Sequence, residues 1–432
     1  MRKPSKLRLP RIKNRRRAIG AAQNAVILCL LVSALVLALS RAGFGLGGEI
    51  NRYGGIERGG DALRDYSAAA EPMCVVSTPE NGVHFAAMYN SHDLDDYYNR
   101  YSAALAEALG SAGEPESVTA SEWEAALAGQ GVYFDYYSDF QLSSLAIWLR
   151  SEMNSGAAVH TARRLCLSLS GGEVTLYYIH GRTGEIYRCS TQLSYTELAG
   201  RVEETAPNGA RFVFELDGQY EGVDPYFVLT EGDIEVRTVS GSDSLDQSMA
   251  DSLMDVFGIN SYLAQGYPEA DGTGVYQEGM LTLRLGSDGT LRFTNRGELP
   301  GDVTMLSPSD AVELTRSLLE DTVGLQNGVA ELRLTYIMAD ADSGSYVLRY
   351  DYAIDGLPVS LTGRECAAEF RLTGGAVTSA DILFRSYSYT GGTERPVPAA
   401  VAAALVQSGG GGEPRLAYVD TYGSVRANWI EV

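Results

Sequence analysis

An unbroken stretch of twenty-three uncharged residues, Ala18 to Ser40, constrains this chain more than any other feature. A hydrocarbon core of about 30 Å is crossed by roughly 20 helical residues. An α-helix also satisfies all its backbone hydrogen bonds internally, as lipid requires. The stretch lies between the basic run Arg15, Arg16, Arg17 and Arg41. Residues 1 to 17 hold nine Lys or Arg and no acid, while Arg41, Arg52, Arg58 and Arg64 are balanced by Glu49, Glu57, Asp61 and Asp65. Positive-inside bias then predicts a cytoplasmic tail and an outer region of residues 41–432. The alternative is a cleaved signal peptide, for which Ser40-Arg41-Ala42 offers a small-x-small site. The long basic tail and long apolar core favour a retained anchor.

All lysines lie in the tail, at Lys3, Lys6 and Lys13, so the outer region sets twenty-five arginines against fifty-five acids, a net charge of −30. Such a surface repels nucleic acid and anionic lipid headgroups. Nearly four hundred residues exceed what one hydrophobic core usually organises. The expected organisation is therefore a basic tail (1–17), a transmembrane helix (18–40), a glycine-rich stalk (41–70) and two outer domains (71–240 and 241–432). Of the cysteines, Cys29 falls in the apolar stretch, and Cys74, Cys166, Cys189 and Cys366 have no metal-site spacing. Only Cys166 and Cys189 read as close enough to pair, with two buried thiols as the alternative.

The outer region reads as α+β. Helices are expected at Ser91 to Leu109, from Ser121 with Glu124 closing a capping box, at Leu142 to Met153, and after Ser194 with Glu197. Alternating strands surround the turns Gly171-Gly172 and Gly181 to Gly184, and Arg211 to Leu216 reads as extended. The first domain is thus expected to have antiparallel strands with helices on one side. A Ser/Gly/Asp cluster at Ser240 to Ser244 marks the domain boundary. Beyond it, two helix-on-antiparallel-sheet units are expected, with helices at Leu245 to Phe257 and Ser309 to Thr322. The second opens on Ser307-Pro308-Ser309-Asp310, an N-cap followed by proline and an acid. Leu253, Leu314, Leu318, Tyr350 and Phe370 should be buried.

The residues offer little chemistry. His84, His92, His160 and His180 lack the spacing of a zinc hydrolase. A serine–lysine peptidase has no lysine available outside, and no Gly-x-Ser-x-Gly elbow is present. His92-Asp93 with Asp95 and Asp96 suits the positive end of a helix better than a metal. Asp340-Ala-Asp342-Ser-Gly344 resembles a calcium loop without its distal glutamate and reads as a turn. The many tyrosines could line a glycan or peptide groove, or form cross-strand pairs. Neither a cofactor nor a metal is expected.

Three stretches carry a resemblance. Residues Tyr262 to Arg296 contain GVYQEGMLTLRLGSDGTLRFTN, and Ser307 to Ser386 contain SPSDAVELTRSLLEDTV and YVLRYDYAIDGLPVS. With the tail and membrane stretch, this order of parts resembles the YycH and YycI accessory proteins of Gram-positive bacteria. The second half is also similar to PepSY-like units. The resemblance implies a non-enzymatic extracellular regulator of a WalK (YycG) type sensor histidine kinase governing cell-wall metabolism. It further implies a paralogous accessory protein as a second partner. A PepSY-like inhibitor or folding aid of an envelope protease or wall enzyme is the alternative, and a wall hydrolase the third reading.

The membrane stretch itself offers candidate contacts. Gln23 and Asn24 lie near its cytoplasmic end and Ser33 near its middle. In lipid such groups seek partners on a neighbouring helix at about 1 kcal/mol each, although a serine can also bond back to its own helix. Replacing residues 18–40 by an unrelated apolar helix of equal length should therefore weaken kinase co-purification. An unchanged yield and unchanged kinase output would reduce the stretch to a tether.

Overall fold

The strand that organises the first half is long and buried on both faces, which an amphipathic pattern would not allow. The computed structural model describes residues 71–297, 306–324, 326–340 and 344–432. In chain order the first strands are β1 (Cys74–Thr78), β2 (Phe85–Ala87), β3 (Glu116–Val118), β4 (Gly131–Gln141), β5 (Thr161–Ser170), β6 (Glu173–His180) and β7 (Ile186–Ser190). They form one seven-stranded sheet in the order β2-β1-β4-β5-β6-β7-β3, antiparallel throughout. Helix α1 (Ser91–Gly110) covers one face, where Tyr98, Tyr101, Leu105 and Leu109 join Val132, Phe134, Leu165 and Leu167 in one apolar cluster. The opposite face holds a second cluster, in which Trp123 of α2 (Ala120–Ala128) joins Tyr133, Cys166 and Phe212. Helices on one side only was the expectation; both faces are covered, and residues 131–138 of β4 are consequently buried without alternation.

Local boundaries differ from expectation for identifiable reasons. Asn90 caps α1, its side chain accepting from His92 N–H. The capping box of α2 is Thr119 with Glu122, two residues earlier than Ser121 with Glu124. Both frames occur in the same six residues, and the frame used buries Trp123, Ala126 and Leu127. Helix α3 (Leu142–Trp148) stops short of Met153 because Arg150 takes φ +62° and Ser151 N–H turns back to Ala146 O. Ser194 occupies the N-cap of α4 (Tyr195–Glu203) but makes no capping hydrogen bond. Of the segment read as extended, β8 (Arg211–Phe212) pairs with β9 (Val228–Leu229), while Val213–Glu215 winds into a 3₁₀ turn.

The Ser/Gly/Asp cluster is part of a strand. Strand β10 (Val236–Asp243) pairs with β20 (Arg385–Glu394), and a register shift between Arg237 and Val239 breaks the alternation. After α5 (Ala250–Val256), the strands are β11 (Gln265–Pro268), β12 (Gly274–Glu278), β13 (Leu281–Leu285), β14 (Thr290–Asn295), β15 (Glu331–Asp340), β16 (Ser345–Ile354), β17 (Leu357–Leu361), β18 (Ala368–Thr373), β19 (Ala376–Leu383), β21 (Pro414–Asp420) and β22 (Val425–Glu431). All eleven join one sheet in the order β11-β12-β13-β14-β19-β18-β16-β17-β21-β22, with β15 on the other edge of β16. The pair β17 and β21 is parallel. Between β20 and β21 lies α7 (Ala399–Gly409), a helix with no polar face for an amphipathic pattern to report.

Helix α6 (Pro308–Thr322) begins as expected, with Ser307 and Asp310 in a capping box and proline in the first turn. It packs over β16, where Thr315 Oγ1 lies 2.7 Å from Tyr350 OH. Leu253, Leu318, Tyr350 and Phe370 are buried, and Leu314 is half-buried against the same cluster. That cluster runs from Val75 to Tyr418, so one core serves both sheets. The four cysteines among the described residues, Cys74, Cys166, Cys189 and Cys366, are free and buried. Cys166 pairs with Tyr177 and Cys189 with Leu176, positions of opposite parity, and the two thiols point to opposite faces of the sheet. They cannot be bridged.

Leu318→Ala should cost about 2 to 5 kcal/mol in urea-unfolding stability. A loss under 1 kcal/mol would mean that α6 does not seal this core.

Candidate functional site

Two concavities are lined by charged residues, and they differ in how well those charges balance. The first is small. A cavity of about 50 Å³ is lined by Cys74, Met88, Tyr89, Tyr226, Phe227 and Leu357 beside Asp135, Arg164, Glu413 and Arg415. It has room for little more than a water or two. Adjacent positions Arg163 and Arg164 on β5 reach a common carboxylate on β4: Arg163 Nε lies 2.7 Å from Asp135 Oδ1 and Arg164 Nε 3.3 Å from Oδ2. Arg164 also holds Asp224 at 2.9 Å, and Glu413 receives Arg163 at 2.9 Å and Arg415 at 3.2 Å. Three guanidiniums thus meet three carboxylates. Burial pushes the Asp135 carboxyl up, but Arg163 and Arg164 outweigh it and hold the group below the usual carboxylate range. The Cys74 thiol beside it is pushed well up by burial and then by Asp135, which leaves it un-ionised and poorly nucleophilic. This assembly fastens the first sheet to the start of β21.

The second concavity is a cleft of about 230 Å³ lined by Glu71, Leu94, Asp95, Tyr137, Val329, Glu331, Arg333, Ala353, Asp355 and Tyr389. Its groups come from the start of the described chain, the first turns of α1, β4, β15, the β16–β17 turn and β20. Arg333 forms ion pairs with Glu71 and with Glu331. Asp355 sits in a hairpin turn at φ +53°, the conformation its pairing with Gly356 implied. It accepts 2.8 Å hydrogen bonds from Arg237 Nε and Tyr389 OH. The Arg237 guanidinium lies 4.0 Å from the centre of the Tyr389 ring. Four carboxylates therefore face two guanidiniums. Glu71 is pushed up by burial, against the pull of Arg333, with Asp95 and Glu331 adding to the rise. Asp95 is raised by burial and by Glu331 and Asp96, again against Arg333.

A third arrangement resembles a hydrolase relay. Thr78 Oγ1 lies 2.7 Å from His84 Nδ1, and His84 Nε2 lies 3.0 Å from Glu215 Oε1. A hydroxyl, an imidazole and a carboxylate in that order can activate a nucleophile. Here Thr78 is 3 % and His84 2 % exposed, the imidazole packs edge-on to Phe212, and neither residue lines either concavity. The relay pins the end of β1 to the 3₁₀ turn after β8.

The sequence placed its candidate contacts at Gln23, Asn24 and Ser33, all outside the described residues. None of the helices in the described residues is long and apolar enough to cross a membrane. Within the acidic run at the start of α1, Asp93 accepts from the Asn90 side chain, and Asp95 lines the cleft. No group of three metal-ligating side chains comes together among the described residues; of the Asp340 to Gly344 stretch, residues 341–343 lie outside them. Sequence reasoning missed Glu71, Glu331, Arg333, Asp355 and Tyr389, which no local spacing connects. Glu331-x-Arg333 on one strand face was the single readable hint.

The fold has a solved counterpart. The crystal structure of YycH from Bacillus subtilis superposes with a TM-score of 0.54, covering 85% of this chain and 94% of that one at 10% identity. The fold is of the YycH type. No family model matches the sequence, and no curated protein does. At this identity the likeness fixes architecture, and the YycH fold carries the chain's two sheets without determining which surface residues act.

Asp135→Asn should destabilise the chain by about 3 to 5 kcal/mol at neutral pH, because it leaves three withdrawn guanidiniums sharing two carboxylates. The folded carboxyl titrates below its unfolded value, so its stabilisation is complete above the unfolded pKa and is lost as pH falls through the folded one. The gap between parent and variant in urea unfolding should accordingly narrow below about pH 4. A gap that stays constant down to pH 2 would contradict the ionic role.

Proposed function

We propose that the chain is a membrane-anchored extracellular regulator that contacts a sensor histidine kinase controlling cell-wall metabolism. The observation that carries this reading is the YycH-type fold over most of the chain. Residues 18–40 supply the anchor, the basic tail orients it, and residues 41–70 link it to the folded region. A paralogous accessory protein is the second partner. The reading needs no cofactor: the balanced ionic assembly and the buried relay both hold elements together, and regulation by contact demands a stable, shaped surface.

We assign α6 on β15, β16, β18 and β19 as a PepSY-like unit, supported by the capped helix packed on β16 through Thr315 and Tyr350. That unit also supports the second reading, inhibition or folding assistance of an envelope protease or wall enzyme.

Affinity purification of the full-length tagged chain in mild detergent distinguishes the two. A histidine kinase should be recovered with it. Repeated recovery of an envelope peptidase without a kinase would replace the first reading by the second.

A further inference from the structure

We propose that the tip of the β6–β7 turn is an acid-released catch, held closed by neutral His180 and freed when His180 and its neighbour His160 take up protons. The argument starts from the direction of two hydrogen bonds. His180 Nδ1 accepts from two backbone N–H groups of the turn, those of Arg182 at 3.1 Å and Thr183 at 3.3 Å. A backbone N–H can only donate, so this nitrogen presents its lone pair and the ring carries its proton on Nε2. The arrangement is that of an Asx turn with an imidazole nitrogen in place of the asparagine oxygen. A second proton would have to sit on Nδ1, where it would face both donors. Two other histidines are placed differently. His84 Nε2 has Glu215 at 3.0 Å and His92 Nε2 has Asp96 at 4.0 Å, so each has a carboxylate that can receive an added N–H.

The surroundings make the catch responsive. His160, just before β5, sets its ring 4.8 Å from that of His180, and both rings neighbour Tyr187. Two imidazolium ions at that spacing repel. His160 is pushed down by burial and by His180, against the pull of Glu185. The fold therefore favours its neutral form, and the stabilisation, complete above the unfolded value of about 6.5, is lost as pH falls through the folded one. The other titratable groups at the pair are Tyr178, 2.7 Å from His160 Nδ1, Tyr187, which donates to Glu185 at 2.7 Å, Glu185 itself, Arg182 and Asp139 of β4. Burial raises Tyr178 and the bond to Glu185 raises Tyr187, so both phenols stay protonated. Asp139 packs so closely on Gly181 that a Cβ there would overlap its carboxylate. Asp139 and Glu185 thus stand next to the turn as acceptors for an imidazolium that has left the amides. At the base of the turn, His180 N–H to Glu185 O and Gly184 N–H to His180 O, 2.8 Å each, hold in either state and confine the release to the tip. Acid then alters both the shape and the charge of one exposed tip of an acidic chain. The catch uses only this chain's residues, so it stands or falls separately from the kinase reading.

The test uses the full chain in detergent, with histidine-selective ¹⁵N NMR and hydrogen exchange read by mass spectrometry. At pH 7.5 the His180 ring should show the Nε2–H tautomer. By pH 5, where an ordinary imidazole is mostly charged, both its nitrogens should be protonated and protection of the Arg182 and Thr183 amides should have fallen at least fivefold. Protection in the β5–β6 hairpin should stay constant, which separates release of the tip from acid unfolding. His180→Asn supplies an acceptor that does not titrate, so this variant should keep its tip amides protected at both pH values. An Nδ1–H tautomer at pH 7.5, constant protection in the parent chain, or an equal fall in His180→Asn would overturn the proposal.

Discussion

A fully buried ion pair fixes the architecture of the second half. Arg385 is 2 % and Asp420 0 % exposed, at the start of β20 and the end of β21. Removing two charges from water costs several kcal/mol per ion, and the cost is met only if every lone pair and proton finds a partner. Asp420 accepts from Arg385 Nε at 3.0 Å, from its Nη2 at 2.7 Å, from Tyr387 OH at 2.9 Å and from Tyr422 N–H at 2.7 Å. Arg385 Nη1 reaches on to Asp243 at 2.7 Å. Three strands distant in sequence, β10, β20 and β21, are thereby held at one point. Gly241 is part of the same constraint: a Cβ there would sit 2.9 Å from Arg385 Nη2 and 3.0 Å from Tyr387. A glycine lets β10 lie flat on the pair, and with it the ribbon that read as a domain boundary.

The contrast explains what the sequence could and could not report. Elements whose reasons are local were legible: the β5–β6 hairpin on its Gly171-Gly172 turn, and α6 from its cap and proline. Elements whose reasons are distant were not. Strand β10 is made by its pairing with β20, 142 residues away at the Asp243–Arg385 contact. Its own residues, Ser240, Gly241 and Ser242, have low strand propensity. The first eight residues of α7 are alanine, valine or leucine, so the alanines favour helix while the period that would reveal it is absent. Burial of both faces of β4 hid its length in the same way, because alternation is a signal of half-burial.

The charged assemblies were less legible still, since ion pairs respect no sequence spacing. Arg163 and Arg164 are neighbours on a strand and should point to opposite faces, yet both reach Asp135. The register shifts beside them, between Ala162 and Leu165 of β5 against β6 and between Asp135 and Phe140 of β4 against β5, supply the twist that permits it. The histidines, which motif reasoning examines first, carry less. His84 is a buried pin, and His160 is hydrogen-bonded to Tyr178 OH at 2.7 Å.

Electrostatic balance is a means of sorting the surfaces of this fold. A chain that carries thirty more acids than bases over residues 41–432 cannot leave many carboxylates unpaired at low dielectric. It therefore places most of them in water and neutralises those it buries, as at Asp135 and Asp420. The cleft of Glu71 and Arg333 follows both courses: Asp95 and Glu331 stand in water, while the less exposed Glu71 and Asp355 are paired with Arg333 and Arg237.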